Sequence, residues 1–145
     1  MKITIINGPN LNMLGTREPE IYGNLTLETI NSEIINYCKK YNFSVNFFQS
    51  NIEGEIINHI HSLNNKTDFI IINPGAYTHT SVAIYDALKS VSIKAIEVHL
   101  SNLHSRSEDF RKTCVTTGAC LGQISGFGYK SYLLAIDSVY LLTSK

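Results

Sequence analysis

The chain has 145 residues, a length typical of one domain and enough to bury roughly two-thirds of the unfolded surface without covalent staples. Its 12 basic and 12 acidic residues cancel, which argues against nucleic acid or an anionic membrane as partner, since both select a basic surface; a small anionic substrate needs only one or two local cations. Three cysteines with no CxxC spacing argue against a disulfide framework and point to a reducing, cytoplasmic compartment.

The pass along the chain begins with a β-branched run at residues 3–6, stopped by Asn7-Gly8-Pro9. It reads as a buried strand, too short for a signal peptide or a membrane span. Leu27, Ile30, Ile34, Cys38 and Tyr41 recur at helical spacing behind Thr26, a suitable N-cap. Ser44–Gln49 reads as a second strand. Ile56, Ile57, Ile60 and Leu63 mark a second helix, with Glu53 and Glu55 suited to its first turn. Residues 69–72 form another apolar run, stopped by Asn73-Pro74-Gly75, and 82–88 read as helix. A strand over 93–100 leads into a polar stretch, 101–111, and then come a short strand at Gln123–Ser125 and a helix over 129–142.

Strands alternating with helices imply a parallel sheet covered on both faces. The expected fold is α/β, one flavodoxin-like doubly wound domain over residues 1–145 with five parallel strands in the order 2-1-3-4-5. Such sheets bind ligands beyond the carboxyl ends of their strands. The chemically unusual residues collect there, after strands one, three and four.

The loop from 8 to 23 carries Asn10, Arg17 and Tyr22 and is long for a strand–helix connection, as lids often are. By composition alone, a solvated arginine and a packed tyrosine remain the simpler reading. Glu97 and His99 are two apart on one strand, so they share a face and the carboxylate can orient the imidazole. A purely structural buried pair fits that spacing equally well. His79 precedes a helix and suits either a loop-capping role or a carboxylate at the helix N-terminus. His59 and His61 point in different directions and make a poor metal pair. No metal-ligand cluster is evident by spacing. The turn Gly126-Phe127-Gly128 half-matches a dinucleotide loop but lacks the third glycine. Lysine is absent from 8–23, 73–81 and 97–102, so these segments offer no Schiff base.

Four ordered blocks resemble the type II 3-dehydroquinate dehydratases. They are Asn7-Gly8-Pro9-Asn10-Leu11-Asn12-Met13-Leu14-Gly15-Thr16-Arg17-Glu18-Pro19 with Tyr22-Gly23; Gln49-Ser50-Asn51-Ile52-Glu53-Gly54-Glu55; Asn73-Pro74-Gly75-Ala76-Tyr77-Thr78-His79-Thr80-Ser81; and Ile96-Glu97-Val98-His99-Leu100-Ser101-Asn102 with Phe110-Arg111. The chain departs from the pattern at Tyr85, where arginine is usual, at Ser131, where glycine is common, and in a stretch 104–111 that is one residue longer.

The resemblance implies a lyase that dehydrates 3-dehydroquinate to 3-dehydroshikimate in the shikimate pathway, through an enolate. Tyr22 matches the base, with Arg17 lowering its pKa, and Asn10 helps at the enolate oxygen. His99 matches the acid, held by Glu97. Asn73, His79, Leu100, Ser101 and Arg111 match the substrate-binding set, and Asp86 matches a residue that reaches a neighbouring subunit's site. The family uses no metal and no cofactor and assembles as a dodecamer of trimers. The competing readings are a flavodoxin-like small-ligand binding module and an inactive relative.

Overall fold

The computed structural model describes residues 1–16, 20 and 24–144. Their frame is a five-stranded sheet of β1 (Lys2–Asn7), β2 (Ser44–Gln49), β3 (Phe69–Asn73), β4 (Lys94–His99) and β5 (Gln123–Ser125). The strand order is β2-β1-β3-β4-β5, and every pairing is parallel. Around it pack α1 (Leu27–Cys38), α2 (Glu53–Ser62), α3 (Val82–Ser90) and α4 (Lys130–Thr143). The expected flavodoxin-like doubly wound fold is therefore the one observed.

Period-2 alternation divides the sheet's side chains between two cores. Ile3 and Ile5 of β1, Ile71 of β3 and Ile96 and Val98 of β4 pack with Ile30 and Ile34 of α1 and Ile136 and Val139 of α4. Ile6, Ile70, Ile72 and Ala95 pack on the other face with Ile56 and Ile60 of α2 and Ile84 and Leu88 of α3. Burial on both faces explains why the central strands read as continuous apolar runs.

Helix boundaries follow local chemistry. Thr26 caps α1 by accepting the Thr29 N–H at 3.2 Å, and Ser81 caps α3 by accepting the Ile84 N–H at 2.9 Å. Tyr41, at helical spacing from Cys38 in the sequence, belongs instead to a separate one-turn helix, Lys39–Tyr41. Left-handed Asn42 (φ 55°) then turns the chain into β2. The strand expected over 93–100 is shorter, Lys94–His99.

Register sets the site. Asn7 of β1 stands beside Asn73 of β3, and His99 of β4 beside Ser125 of β5. The carboxyl ends of four strands thus form one row. The loops leaving β1 and β3 also touch: the Gly8 N–H donates to the Asn73 carbonyl at 2.8 Å. A Cβ on Gly8 would fall 2.5 Å from the Pro74 carbonyl oxygen, so only glycine permits that approach. Among the described residues no helix is long and apolar enough to cross a membrane.

Candidate active site

At the end of β4, Glu97 is completely buried, a placement that demands partners for its charge. It has four. His99 Nε2 lies 2.6 Å from Oε1. The Thr78 hydroxyl donates to Oε1 at 2.7 Å and the Thr116 hydroxyl to Oε2 at 2.8 Å. Gln123 Nε2 donates to Oε1 at 3.3 Å. The two threonine hydroxyls are 3.0 Å apart, but each has one proton, and the carboxylate is the stronger acceptor. Burial pushes the Glu97 pKa up, while the bonds from His99 and the threonines pull it down and prevail. Glu97 is therefore a fixed negative charge. A carboxylate only accepts, so the His99 nitrogen facing it carries a proton.

His99 is 5% exposed and lines a cavity of about 150 Å³ with Asn10, Asn73, His79, Leu100, Ser101, Arg106 and Arg111. Left-handed Asn10 (φ 67°) donates its backbone N–H to Asn51 Oδ1 at 2.9 Å, which fixes the start of the first loop. Asn73 is oriented by two hydrogen bonds of its side chain. Its Oδ1 accepts the Gly75 N–H at 3.1 Å, and its Nδ2 donates to the Tyr132 hydroxyl at 3.1 Å. Tyr132 in turn donates to Asn7 Oδ1 at 2.5 Å. Burial raises the Tyr132 pKa far beyond the usual phenol range, against a lowering bond from Asn73, so this tyrosine is a neutral strut.

His79 Nδ1 lies 2.7 Å from the Thr113 carbonyl oxygen. A carbonyl only accepts, so Nδ1 carries hydrogen and Nε2 is the nitrogen left for a ligand. Arg111 Nε lies 3.4 Å from Glu108 Oε1 without hydrogen-bond alignment. Arg106 Nη2 donates to the Ser101 hydroxyl at 3.2 Å. Two guanidinium groups beside a histidine suit an anionic substrate.

The family Dehydroquinase class II matches residues 1–140. The chain belongs to the class II dehydroquinases. The 3-dehydroquinate dehydratase of Clostridium perfringens is 58% identical over 140 residues, 96% of each chain. That of Clostridium acetobutylicum is 52% identical over 145 residues, the whole of both. The crystal structure of the type II dehydroquinase from Butyrivibrio crossotus superposes with a TM-score of 0.93 at 55% identity, covering 96% of this chain and 97% of that one.

On this dehydroquinase chain the residues singled out by sequence fall into three groups. Asn10, Asn73, His79, His99, Leu100, Ser101 and Arg111 meet at the cavity, with Glu97 behind His99. Asp86 stands apart, exposed on α3. Tyr22 and Arg17 lie outside the described residues. Sequence reading missed Arg106, although it sits in the polar stretch after β4. It also missed Thr78, Thr116 and Gln123, which meet Glu97 from three separate segments. The third of these shares no periodicity with β4, and only the fold brings it there.

Proposed function

We propose that this chain, as one domain over residues 1–145, dehydrates 3-dehydroquinate to 3-dehydroshikimate in the shikimate pathway, in the cytoplasm and without metal or cofactor. The observation that carries the proposal is the His99–Glu97 pair at the cavity. The substrate has a ketone at C3, acidic protons at C2 and a hydroxyl at C1. Elimination needs a base for the C2 proton, stabilisation of the enolate, and an acid for the departing hydroxyl.

Tyr22 is the proposed base. A phenol with a pKa of about 10 is too weak at neutral pH, so Arg17 on the same loop serves as the cation that lowers it. Asn10 places a donor or a water at the enolate oxygen. Glu97 grips His99 through Nε2 and stabilises the imidazolium, leaving Nδ1 to protonate the hydroxyl as it leaves.

Binding follows from the fixed orientations. One hydrogen of the Asn73 amide nitrogen is used on Tyr132, and the second serves a substrate oxygen. His79 Nε2, the Leu100–Ser101 backbone and the Arg111 charge complete the set. Asp86, exposed and off the cavity, serves the site of a neighbouring subunit in a homo-oligomer, a dodecamer built of trimers.

The test is ultraviolet detection of the conjugated enone formed from 3-dehydroquinate by the purified protein. Steady product formation that His99→Ala suppresses supports the reading. Absence of product with folded wild-type protein contradicts it.

A further inference from the structure

Beside the His99–Glu97 pair lies a thiol that the dehydration does not use. Among the described residues, Glu97, His99 and Cys114 each bring one metal-ligating atom within 4.8 Å of the others. Glu97 and His99 are buried and Cys114 is half-buried. The segment carrying Cys114 is pinned on both sides of it. The Thr113 carbonyl accepts from His79 at 2.7 Å, the Val115 N–H donates to the Thr78 carbonyl at 2.6 Å, and the Thr116 hydroxyl donates to Glu97 at 2.8 Å. The sulfur is thereby held beside the acid pair.

We infer that Cys114, His99 and Glu97 form an inhibitory site for a borderline-soft divalent cation of the zinc type. One thiolate, one imidazole and one carboxylate are a zinc donor set, whereas magnesium prefers all-oxygen ligands. Binding releases the thiol proton to solvent, and His99 binds as the neutral imidazole, its one remaining proton on the nitrogen the metal does not take. The two anionic ligands then balance the dication, which suits a site with little water. Zinc bonds of about 2.0–2.3 Å place tetrahedral ligands about 3.3–3.8 Å apart, so the 2.6 Å His99–Glu97 contact opens by about 1 Å and a pair at the 4.8 Å limit closes by about 1–1.5 Å. The metal takes a nitrogen of His99 and separates the ring from Glu97, so metal and proton delivery exclude each other. Cys120 is not a member of the cluster; its thiol donates to the Thr116 carbonyl at 3.8 Å.

The experiment titrates the purified full-length protein, Cys114→Ser and Cys120→Ser with Co²⁺, Zn²⁺ and Mg²⁺. Co²⁺ should give a thiolate-to-cobalt charge-transfer band at one equivalent in wild type and Cys120→Ser, absent in Cys114→Ser. Zn²⁺ should suppress dehydration in competition with substrate, and Mg²⁺ should not. Cys114→Ser should keep the metal-free rate and need at least about tenfold more Zn²⁺, since losing even the outer-shell partner of a ligand costs about 10–100-fold. A missing band, a band that survives in Cys114→Ser, or equal zinc sensitivity in the two proteins overturns the inference. The inhibitory half rests on the proposed dehydration; the cobalt band does not, so a protein with the band but no dehydratase activity would sink the function and keep the site.

Discussion

Glu97 is the residue on which the acid depends. Replacing it with glutamine keeps the shape but removes the charge, and sets an amide NH₂ against hydroxyl and ring donors. Unpaired buried donors cost about 1–3 kcal/mol each, so Glu97→Gln should lower the melting temperature measurably at neutral pH. The pH dependence has a definite sign. The folded carboxyl titrates below its ordinary 4.5, so its stabilisation is complete above that value and is lost as pH falls through the lower folded value. The gap in melting temperature between wild type and Glu97→Gln should narrow through that acid window, as read by calorimetry from neutral to acid pH. A gap that stayed constant would mean that Glu97 is not held as a carboxylate. The Glu97–His99 pair was legible in the sequence because strand alternation puts residues two apart on one face. Thr78, Thr116 and Gln123, which make the pair work, were not, since they converge from two short 3-10 helices, Gly75–His79 and Thr116–Ala119, and an edge strand.

At the scale of elements, the long first loop carries the proposed base, β4 (Lys94–His99) the proposed acid, and the polar stretch after β4 the charge that binds substrate. Tyr22→Phe keeps the ring and removes the proton acceptor, so turnover should vanish while the fold persists. Arg17→Ala should also be slow, and its activity should move to higher pH, because an unassisted phenol ionises only there. A pH–rate profile of both proteins checks this. A slow Arg17→Ala with an unshifted profile would assign Arg17 to the substrate or the enolate instead. Strands and helices were largely legible, since apolar runs and caps recur in the expected places. The polar stretch was not, because it folds as single turns such as Leu103–Ser105 and Asp109–Lys112, whose short length leaves no period to read. Arg106 escaped notice for that reason.

For the whole molecule, the exposed position of Asp86 on α3 is consistent with a site shared between subunits. Light scattering should report a trimer or a multiple of it, and a fully active monomer at assay concentration would contradict a shared site. Exhaustive chelation should leave activity intact, and under the inhibitory cation site it should restore activity lost to trace metal. Loss of activity on chelation, recovered with a divalent ion, would instead require a metal in the reaction. The measurement closest to the central claim separates the two proton transfers. Dissolved in deuterated solvent with 3-dehydroquinate, His99→Ala should still exchange the C2 proton, seen by NMR, while its turnover falls by about 10²–10⁴. Tyr22→Phe should show neither exchange nor product. If His99→Ala lost C2 exchange as completely as elimination, or kept near-normal turnover, His99 would not be the acid for the departing hydroxyl and the proposed mechanism would be wrong.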